Sequence, residues 1–163
     1  MAFHDTQNTD ILKLENQLCF PLYAASREIV KKYGPYLREL NLTYTQYICM
    51  MVLWDAKEIS AKALGERLFL DSGTMTPVLK ALEKKGYIKR TRCSEDERLL
   101  IVSSTPDGMA LRERMLDIPE KVGACIDLDL NEAAQLYRLL YKLLGQTGPA
   151  FEASKAANTE GRK

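Results

Sequence analysis

Cys19 and Tyr23 place a thiol and a phenol four residues apart, which puts them on one face of a helix. A cysteine sulfur attacks a peroxide only as its thiolate, and a hydroxyl that donates a hydrogen bond stabilises that form. The pair could therefore form an oxidisable sulfur site. The opposing interpretation is structural, because a cysteine on an apolar helical face is commonly a small core residue and a tyrosine there an interface aromatic.

Tyr33 is a second phenol on the same predicted helix, but it cannot reach the Cys19 of its own chain. The fourteen residues between them correspond to about 320° of rotation and roughly 21 Å along a straight helix. Tyr33 could instead reach the cysteine of a second copy if two such helices crossed antiparallel about a two-fold axis. Pro21 bears on this geometry, since a proline inside a helix removes a hydrogen bond and favours a kink.

The remaining composition is that of an ordinary protein of 163 residues with four cysteines. These are too few and too scattered for a disulfide scaffold, and with His4 as the single histidine we expect neither a metal site nor a cofactor. We expect Cys49, in the most apolar segment, to be buried and inert, and Cys93 to be exposed but far from Cys19. Without a membrane-spanning run or a signal peptide, the chain is expected to be cytoplasmic and to have no membrane contact.

Basic side chains are concentrated in one part of the chain, although the formal net charge is only +1. Residues 80–98 include seven basic and four acidic side chains, whereas residues 112–132 include three basic and six acidic ones. This asymmetry predicts one positively charged face on a protein that is acidic elsewhere, as expected for a protein that binds a polyanion.

The elements that position these groups are predicted to be mainly helical. Apolar periodicity indicates a first helix over residues 10–33, capped by Thr9 or Asp10 and stopped by Gly34-Pro35. Polar caps and apolar runs predict further helices over residues 43–54, 61–68, 72–86, 105–119 and 129–144, with Thr43, Ser60, Asp71 and Thr105 among the caps. Two short strands are predicted over residues 87–92 and 99–103.

Two short helices with a tight connection, followed by a two-stranded hairpin, describe a winged helix-turn-helix. The second helix begins with small hydroxyl side chains, which allow close approach to base edges in the major groove. Lysines further along could reach phosphates, and an arginine beside the hairpin loop could enter the minor groove. The residues in these roles are Ser72, Thr74 and Thr76, then Lys80, Lys84 and Lys85, and finally Arg92 and Arg98. The alternative is a helical protein whose hairpin carries ordinary solvated charges.

Several segments carry a family resemblance, namely Tyr44-Thr-Gln-Tyr47, Leu64-Gly-Glu-Arg-Leu68, Leu70-Asp-Ser-Gly-Thr-Met-Thr-Pro-Val-Leu-Lys80 and Asp96-Glu-Arg98. They resemble the MarR family of winged-helix repressors. Leu14-Glu-Asn-Gln-Leu-Cys-Phe, with Tyr23 and Tyr33, is similar to its organic-hydroperoxide-sensing branch, the OhrR type. The resemblance implies a mainly α fold with a small β wing, which dimerises through its N- and C-terminal helices.

The same resemblance implies a function, which is that of a repressor and not an enzyme. A homodimer would bind a palindromic operator in double-stranded DNA, with Asp96 holding Arg98 for the minor groove. Oxidation of Cys19 by an organic hydroperoxide, beside Tyr23 and Tyr33, would release the DNA. The oxidised sulfur would then be captured either by Cys125 of the partner chain or by a low-molecular-weight thiol.

The expected domain organisation follows from these assignments. We expect a flexible N-terminus over residues 1–8, a single MarR-type domain over 9–147 and a flexible tail over 148–163. Within the domain, the winged helix would occupy about 43–103, and the dimerisation helices about 9–40 and 105–147. Two other functions stay open, namely a regulator that answers a small ligand and, less favoured for want of a βαβ pattern, a thiol peroxidase.

Overall fold

The computed structural model describes residues 12–93 and 99–145. The chain divides into two compact units, Met1–Cys125 and Ile126–Lys163. The elements in chain order are a 3-10 turn at Leu14–Asn16, α1 Cys19–Glu39, α2 Tyr44–Ala56, β1 Glu58–Ser60, α3 Ala61–Leu68, α4 Ser72–Lys84, β2 Ile88–Arg92, β3 Leu100–Ser104, α5 Pro106–Glu113, α6 Ile118–Gly123 and α7 Leu130–Leu143. None of the helices in these residues is long and apolar enough to cross a membrane.

Helix α1 begins later and ends later than the periodicity predicts. It starts at Cys19, so Pro21 lies in the first turn, where a backbone N–H has no acceptor within the helix and none is lost. It also continues through Gly34-Pro35, and the predicted stop there is wrong. The following turn buries Leu37 in the core, and this packing outweighs the hydrogen bond that Pro35 removes. The predicted caps Thr9 and Asp10 lie outside the described residues.

The predicted helix starts in the centre of the chain are confirmed by their side-chain caps. Thr43 and Gln46 form a reciprocal capping box at the start of α2. Ser60 accepts a hydrogen bond from the Ala63 amide at 3.1 Å, and Thr105 accepts one from the Gly108 amide at 3.0 Å. Because each cap satisfies an amide that has no partner within its helix, the start of the element is set locally.

The sheet contains a strand that the sequence did not indicate. The predicted hairpin pairs β2 with β3 in antiparallel register, with Arg90 opposite Val102. The third strand, β1, pairs with the other edge of β3 through Ile59 and Val102, which gives the order β1-β3-β2. Three residues are too few to show an alternating pattern, so β1 depends on its partner strand.

The predicted helix over residues 105–119 is two helices, because α5 ends at Glu113 and α6 begins at Ile118. Pro119 is accommodated in the first turn of α6, where its missing N–H costs nothing. The bend also buries Met115 and Ile118 in the core of the first unit.

Helix α5 packs closely against Tyr87, the residue before β2. A Cβ added to Gly108 would lie 2.0 Å from the carbonyl oxygen of Tyr87, so only glycine fits there. The carbonyl of Gly108 accepts a hydrogen bond from the indole Nε1 of Trp54 in α2, at 2.8 Å. The core around this joint includes the buried side chains Leu53, Leu64, Leu79, Leu82, Val102 and Leu111.

Helix α7 is the main element of the second unit and buries none of its residues. Asp129 and Glu132 form a capping box at its start. Its leucines at positions 136, 139 and 143 recur at helical spacing, and all three are exposed. An amphipathic helix with an exposed apolar face is typical of one that packs on a partner chain.

Candidate functional site

The N-terminal turn of α4 is shaped by the carboxylate of Asp71. Its two oxygens accept hydrogen bonds from the amide and the hydroxyl of Thr74, each at 2.9 Å. These bonds hold the pKa of Asp71 below its usual value. The hydroxyl of Thr76 donates to the carbonyl of Ser72 at 2.7 Å. Both threonine oxygens therefore keep free lone pairs on the exposed side of the helix, as a surface that meets base edges requires.

Two of the three predicted phosphate-contacting lysines are exposed. Lys80 and Lys84 are four residues apart on α4 and extend that face by one turn. Lys85 does not fit its prediction, because its Nζ donates to the backbone carbonyl of Asn41 and, at 2.8 Å, to Oε1 of Gln46. Desolvation in this position lowers the pKa of Lys85. Its role is to tie α4 to the start of α2.

A charged pair that sequence reasoning missed joins α4 to the hairpin. The guanidinium of Arg90 donates to the carboxylate of Glu83 through Nε at 2.9 Å and also through Nη2. The Arg90 amide donates to the same carboxylate at 3.2 Å. These bonds lower the pKa of Glu83. The pair fixes the hairpin against the helix, and a seven-residue separation across a turn gave no local signal for it.

The structure describes the hairpin up to Cys93 and again from Leu99. Arg92 closes β2 and is exposed, and the amide of Cys93 donates to the carbonyl of Leu99 at 2.9 Å. Cys93 was expected to be exposed and is only partly so. Asp96 and Arg98, the predicted wing pair, lie outside the described residues.

Cys19 and Tyr23 lie on the exposed side of the first turns of α1. The Tyr23 hydroxyl accepts a hydrogen bond from Nη1 of Arg27 at 2.9 Å. The neighbouring Phe20 and Leu22 are also exposed, at 42% each. The exposed thiol therefore has two partly exposed apolar side chains as neighbours along the helix.

Tyr33 lies at the other end of the same helix and belongs to an aromatic cluster. Its ring centre is 5.1 Å from that of Tyr44 and 5.7 Å from that of Tyr47. Tyr47 in turn lies 6.4 Å from Trp54. Burial raises the pKa of Tyr33 and of Tyr44, and raises that of Tyr47 to about 12.

Tyr44 is therefore a candidate site residue that sequence reasoning did not assign. It follows the Thr43 cap, and its ring contacts Tyr33 across the α1–α2 junction. Its position beside the cap was visible in the sequence, but its contact with Tyr33 was not. Because α1 is continuous from Cys19 to Tyr33, the two remain roughly 21 Å apart along the axis.

Cys125 and Cys49, the two remaining cysteines, differ sharply in environment. Cys125 is exposed after the end of α6, and its Sγ donates to the carbonyl of Lys121 at 3.4 Å. Cys49 is fully buried in α2, and burial raises its pKa to about 12. The expectation that Cys49 is buried is confirmed, and its thiol is protonated at neutral pH.

Comparisons with known proteins agree on one kind of protein. A sequence profile of the SarA/Rot transcriptional regulators matches residues 31–115. The chain is 47% identical over 135 residues to the organic hydroperoxide resistance transcriptional regulator of Bacillus subtilis (strain 168), covering 83% of this chain and 92% of that protein. Reduced AbfR bound to DNA superposes with a TM-score of 0.70 at 32% identity, covering 81% of this chain and 90% of AbfR. AbfR is a protein of Staphylococcus epidermidis. Its disulfide-formed structure superposes with a TM-score of 0.56 at 33% identity, covering 81% of this chain and 88% of AbfR.

Proposed function

The chain belongs to the SarA/MarR family of winged-helix transcriptional regulators, and from this premise we propose that it is a redox-controlled repressor. In this proposal a homodimer binds operator DNA in the cytoplasm until an organic hydroperoxide oxidises Cys19. The observation that carries the proposal is the exposed pair Cys19 and Tyr23 in the first turns of α1, with the phenol of Tyr33 further along the same helix beside that of Tyr44 in α2.

DNA binding is supported by the exposed face of α4 and the adjoining hairpin. The helix presents Ser72, Thr74 and Thr76 to the major groove, and Lys80 and Lys84 to phosphates. Arg92, with Asp96 and Arg98, would contact the DNA beside the hairpin, and similar AbfR has been solved on DNA. The two α4 helices of a dimer would enter successive major grooves of a palindrome.

A dimer would complete the sulfur site. A two-fold axis crossing α1 halfway between positions 19 and 33, near Ser26, would place each Cys19 against the other chain's Tyr33 and Tyr44. Ala25 and Ser26 are small and exposed, so the two helices could approach closely there. The helices over 9–40 and 105–147 would form the dimer, and the exposed leucines of α7 suit that role.

The proposed reaction consumes one hydroperoxide per thiol. The Cys19 thiolate attacks the distal oxygen of the hydroperoxide, the O–O bond breaks, and the products are a sulfenate and an alcohol once the leaving alkoxide takes a proton. Neutral phenols around the sulfur would stabilise the thiolate by donating hydrogen bonds to it. Burial raises the pKa of Tyr33 and of Tyr44 further above neutrality, where a tyrosine hydroxyl is already protonated and can donate.

A second thiol would then replace the sulfenic hydroxyl. If Cys125 of the partner attacks the Cys19 sulfenic acid, a disulfide forms and water leaves. The exposure of Cys125 supports this choice, as does the existence of a disulfide-formed AbfR. A low-molecular-weight thiol could perform the same substitution and leave a mixed disulfide.

The aromatic cluster offers a route from the sulfur to the DNA-binding elements. Tyr33 contacts Tyr44 and Tyr47, Tyr47 contacts Trp54, and Trp54 donates to the Gly108 carbonyl of α5. Displacing Tyr33 on oxidation would shift α2 relative to α5 and change the spacing of the two α4 helices. Losing one or two base contacts per half-site would release the DNA, since each is worth about 1–3 kcal/mol.

The test uses a duplex that the protein selects from a random library, with affinity measured by fluorescence anisotropy. One equivalent of cumene hydroperoxide should weaken binding by wild type and by the control Cys93→Ser, but not by Cys19→Ser. Equal loss of affinity in wild type and Cys19→Ser would contradict the proposal. Mass spectrometry of the oxidised protein then distinguishes a Cys19–Cys125 disulfide, absent from Cys125→Ser, from an adduct with added glutathione.

A second candidate function is regulation by a small organic acid. An open cavity of about 520 Å³ lies beside α2 and α5, lined mainly by apolar side chains, with Arg112 and Asp55 as its charged residues. Asp55 is already paired with Arg67 at 2.8 Å, so an aromatic carboxylate would match the apolar lining and Arg112. If benzoate released the selected duplex from Cys19→Ser protein, and Arg112→Ala abolished that effect, this function would replace the redox one.

A further inference from the structure

We infer that Arg27 is a positioning residue for the Cys19 thiolate, acting through the hydroxyl of Tyr23. The inference deepens the proposed redox function and rests on it. Cys19, Tyr23 and Arg27 follow one another at intervals of four, so they form a single exposed row along α1. The row has a sulfur at one end, a cation at the other and a phenol between them.

The hydrogen bond between Arg27 and Tyr23 sets the direction of the phenol proton. A guanidinium has donors but no acceptor, so Nη1 of Arg27 donates to the Tyr23 oxygen, at 2.9 Å. The phenol must then direct its own proton elsewhere. Cys19 lies on the preceding turn of the same face, where its thiolate would accept that proton.

The same contact also restrains the Tyr23 ring. The guanidinium carbon of Arg27 lies 5.4 Å from the centre of the ring, within the range of a cation–π interaction. Tyr23 is 56% exposed, so few other contacts in its own chain restrain it. Arg27 therefore limits the motion of an otherwise exposed phenol and keeps its oxygen beside the helix surface.

Arg27 acts through the phenol because its guanidinium is bonded to the phenol oxygen. A hydrogen bond accepted by that oxygen polarises its O–H group and makes it a stronger donor. The positive charge thus reaches the thiolate as a better hydrogen bond from Tyr23.

The experiment measures how fast iodoacetamide alkylates Cys19 in the full chain, by mass spectrometry of the Cys19 peptide. At pH 7 we expect Arg27→Ala to slow alkylation by about three- to ten-fold, because the hydrogen bond that stabilises the thiolate weakens. Arg27→Lys should restore part of the rate, since an ammonium also donates to the phenol. Arg38→Ala removes the same charge from the far end of α1 and should leave the rate unchanged.

A double substitution separates positioning from a general effect on folding. In a Tyr23→Phe background the phenol oxygen is absent, so adding Arg27→Ala should slow alkylation no further. Equal slowing by Arg27→Ala in the two backgrounds, or none in wild type, would overturn the inference. Alkylation needs no hydroperoxide, so it reports on Arg27 even if Cys19→Ser shows that DNA release does not depend on Cys19.

Discussion

The close contact at Gly108 leads to the sharpest stability prediction. A Cβ at this position would lie 2.0 Å from the Tyr87 carbonyl oxygen and 2.8 Å from Oγ of Ser104. Real Cβ atoms essentially never come within 3.0 Å of such atoms. In Gly108→Ala the first turn of α5 must therefore move away from the sheet by about 1 Å or more, because the nearer obstacle is backbone and cannot rotate aside.

The expected cost combines overpacking with lost hydrogen bonds. Inserting a methyl group into a packed joint costs about 1–3 kcal/mol. The displacement also strains the bond from the Thr105 amide to the Tyr87 carbonyl, at 3.1 Å, and that from Trp54 to the Gly108 carbonyl, at 2.8 Å. Each is worth about 1 kcal/mol, which brings the loss to roughly 3–5 kcal/mol of unfolding free energy. For a chain of this length that lowers Tm by roughly 6–20 °C.

Thermal unfolding followed by circular dichroism at one fixed protein concentration measures this effect, since association makes Tm concentration-dependent. The matched control is Gly123→Ala in α6, where an added Cβ meets no atom within 4 Å. That substitution should leave Tm unchanged or raise it slightly, because alanine favours helix over glycine by about 1 kcal/mol. A Gly108→Ala protein that melts within about 2 °C of wild type would refute the steric reasoning.

Three further predictions concern the DNA-binding face and the buried thiol. Asp71→Ala should weaken binding to the selected duplex several-fold, whereas Asp71→Asn, which keeps an N-cap without the charge, should not; equal loss in both would count against the capping role. Glu83→Gln should lower Tm at pH 7, because the carboxylate paired with Arg90 stabilises the fold. Folding lowers the pKa of Glu83. The stabilisation is therefore complete at pH values above the ordinary glutamate pKa, and it is lost as the pH falls through the lower pKa of the folded protein. The Tm difference should accordingly shrink below about pH 4, and a constant difference would show that the ion pair is not its cause. Cys49 should resist iodoacetamide at pH 8 until urea unfolds the chain, because burial raises its pKa to about 12; rapid alkylation of the native protein would disprove its burial.

Much of the fold could be predicted from short stretches of sequence. The helix starts at Thr43, Ser60, Asp71 and Thr105 were predicted because each cap bonds an amide within three residues of itself. The hairpin was predicted from two short strands that flank a polar loop. Such features depend on neighbours along the chain, so a single sequence contains the information.

Errors and omissions occurred where contacts between distant residues decide the outcome. Pro35 should stop a helix by local rules, yet burial of Leu37 extends α1 beyond it. Lys85 had the spacing of a phosphate contact, but it is bound to the start of α2, about forty residues away in the chain. Strand β1 forms through its antiparallel pairing with β3, more than forty residues away in the chain.

For the candidate site, the sequence by itself determined the chemistry and the register of one helix. Residue types and the four-residue interval identified Cys19 and Tyr23, because the geometry of an α-helix is the same in every protein. Only the tertiary structure decided that Tyr44 joins Tyr33 and that Glu83 holds the hairpin. The physical reason is that such contacts depend on rotamers and on the packing of separate elements, which no local rule along the chain specifies.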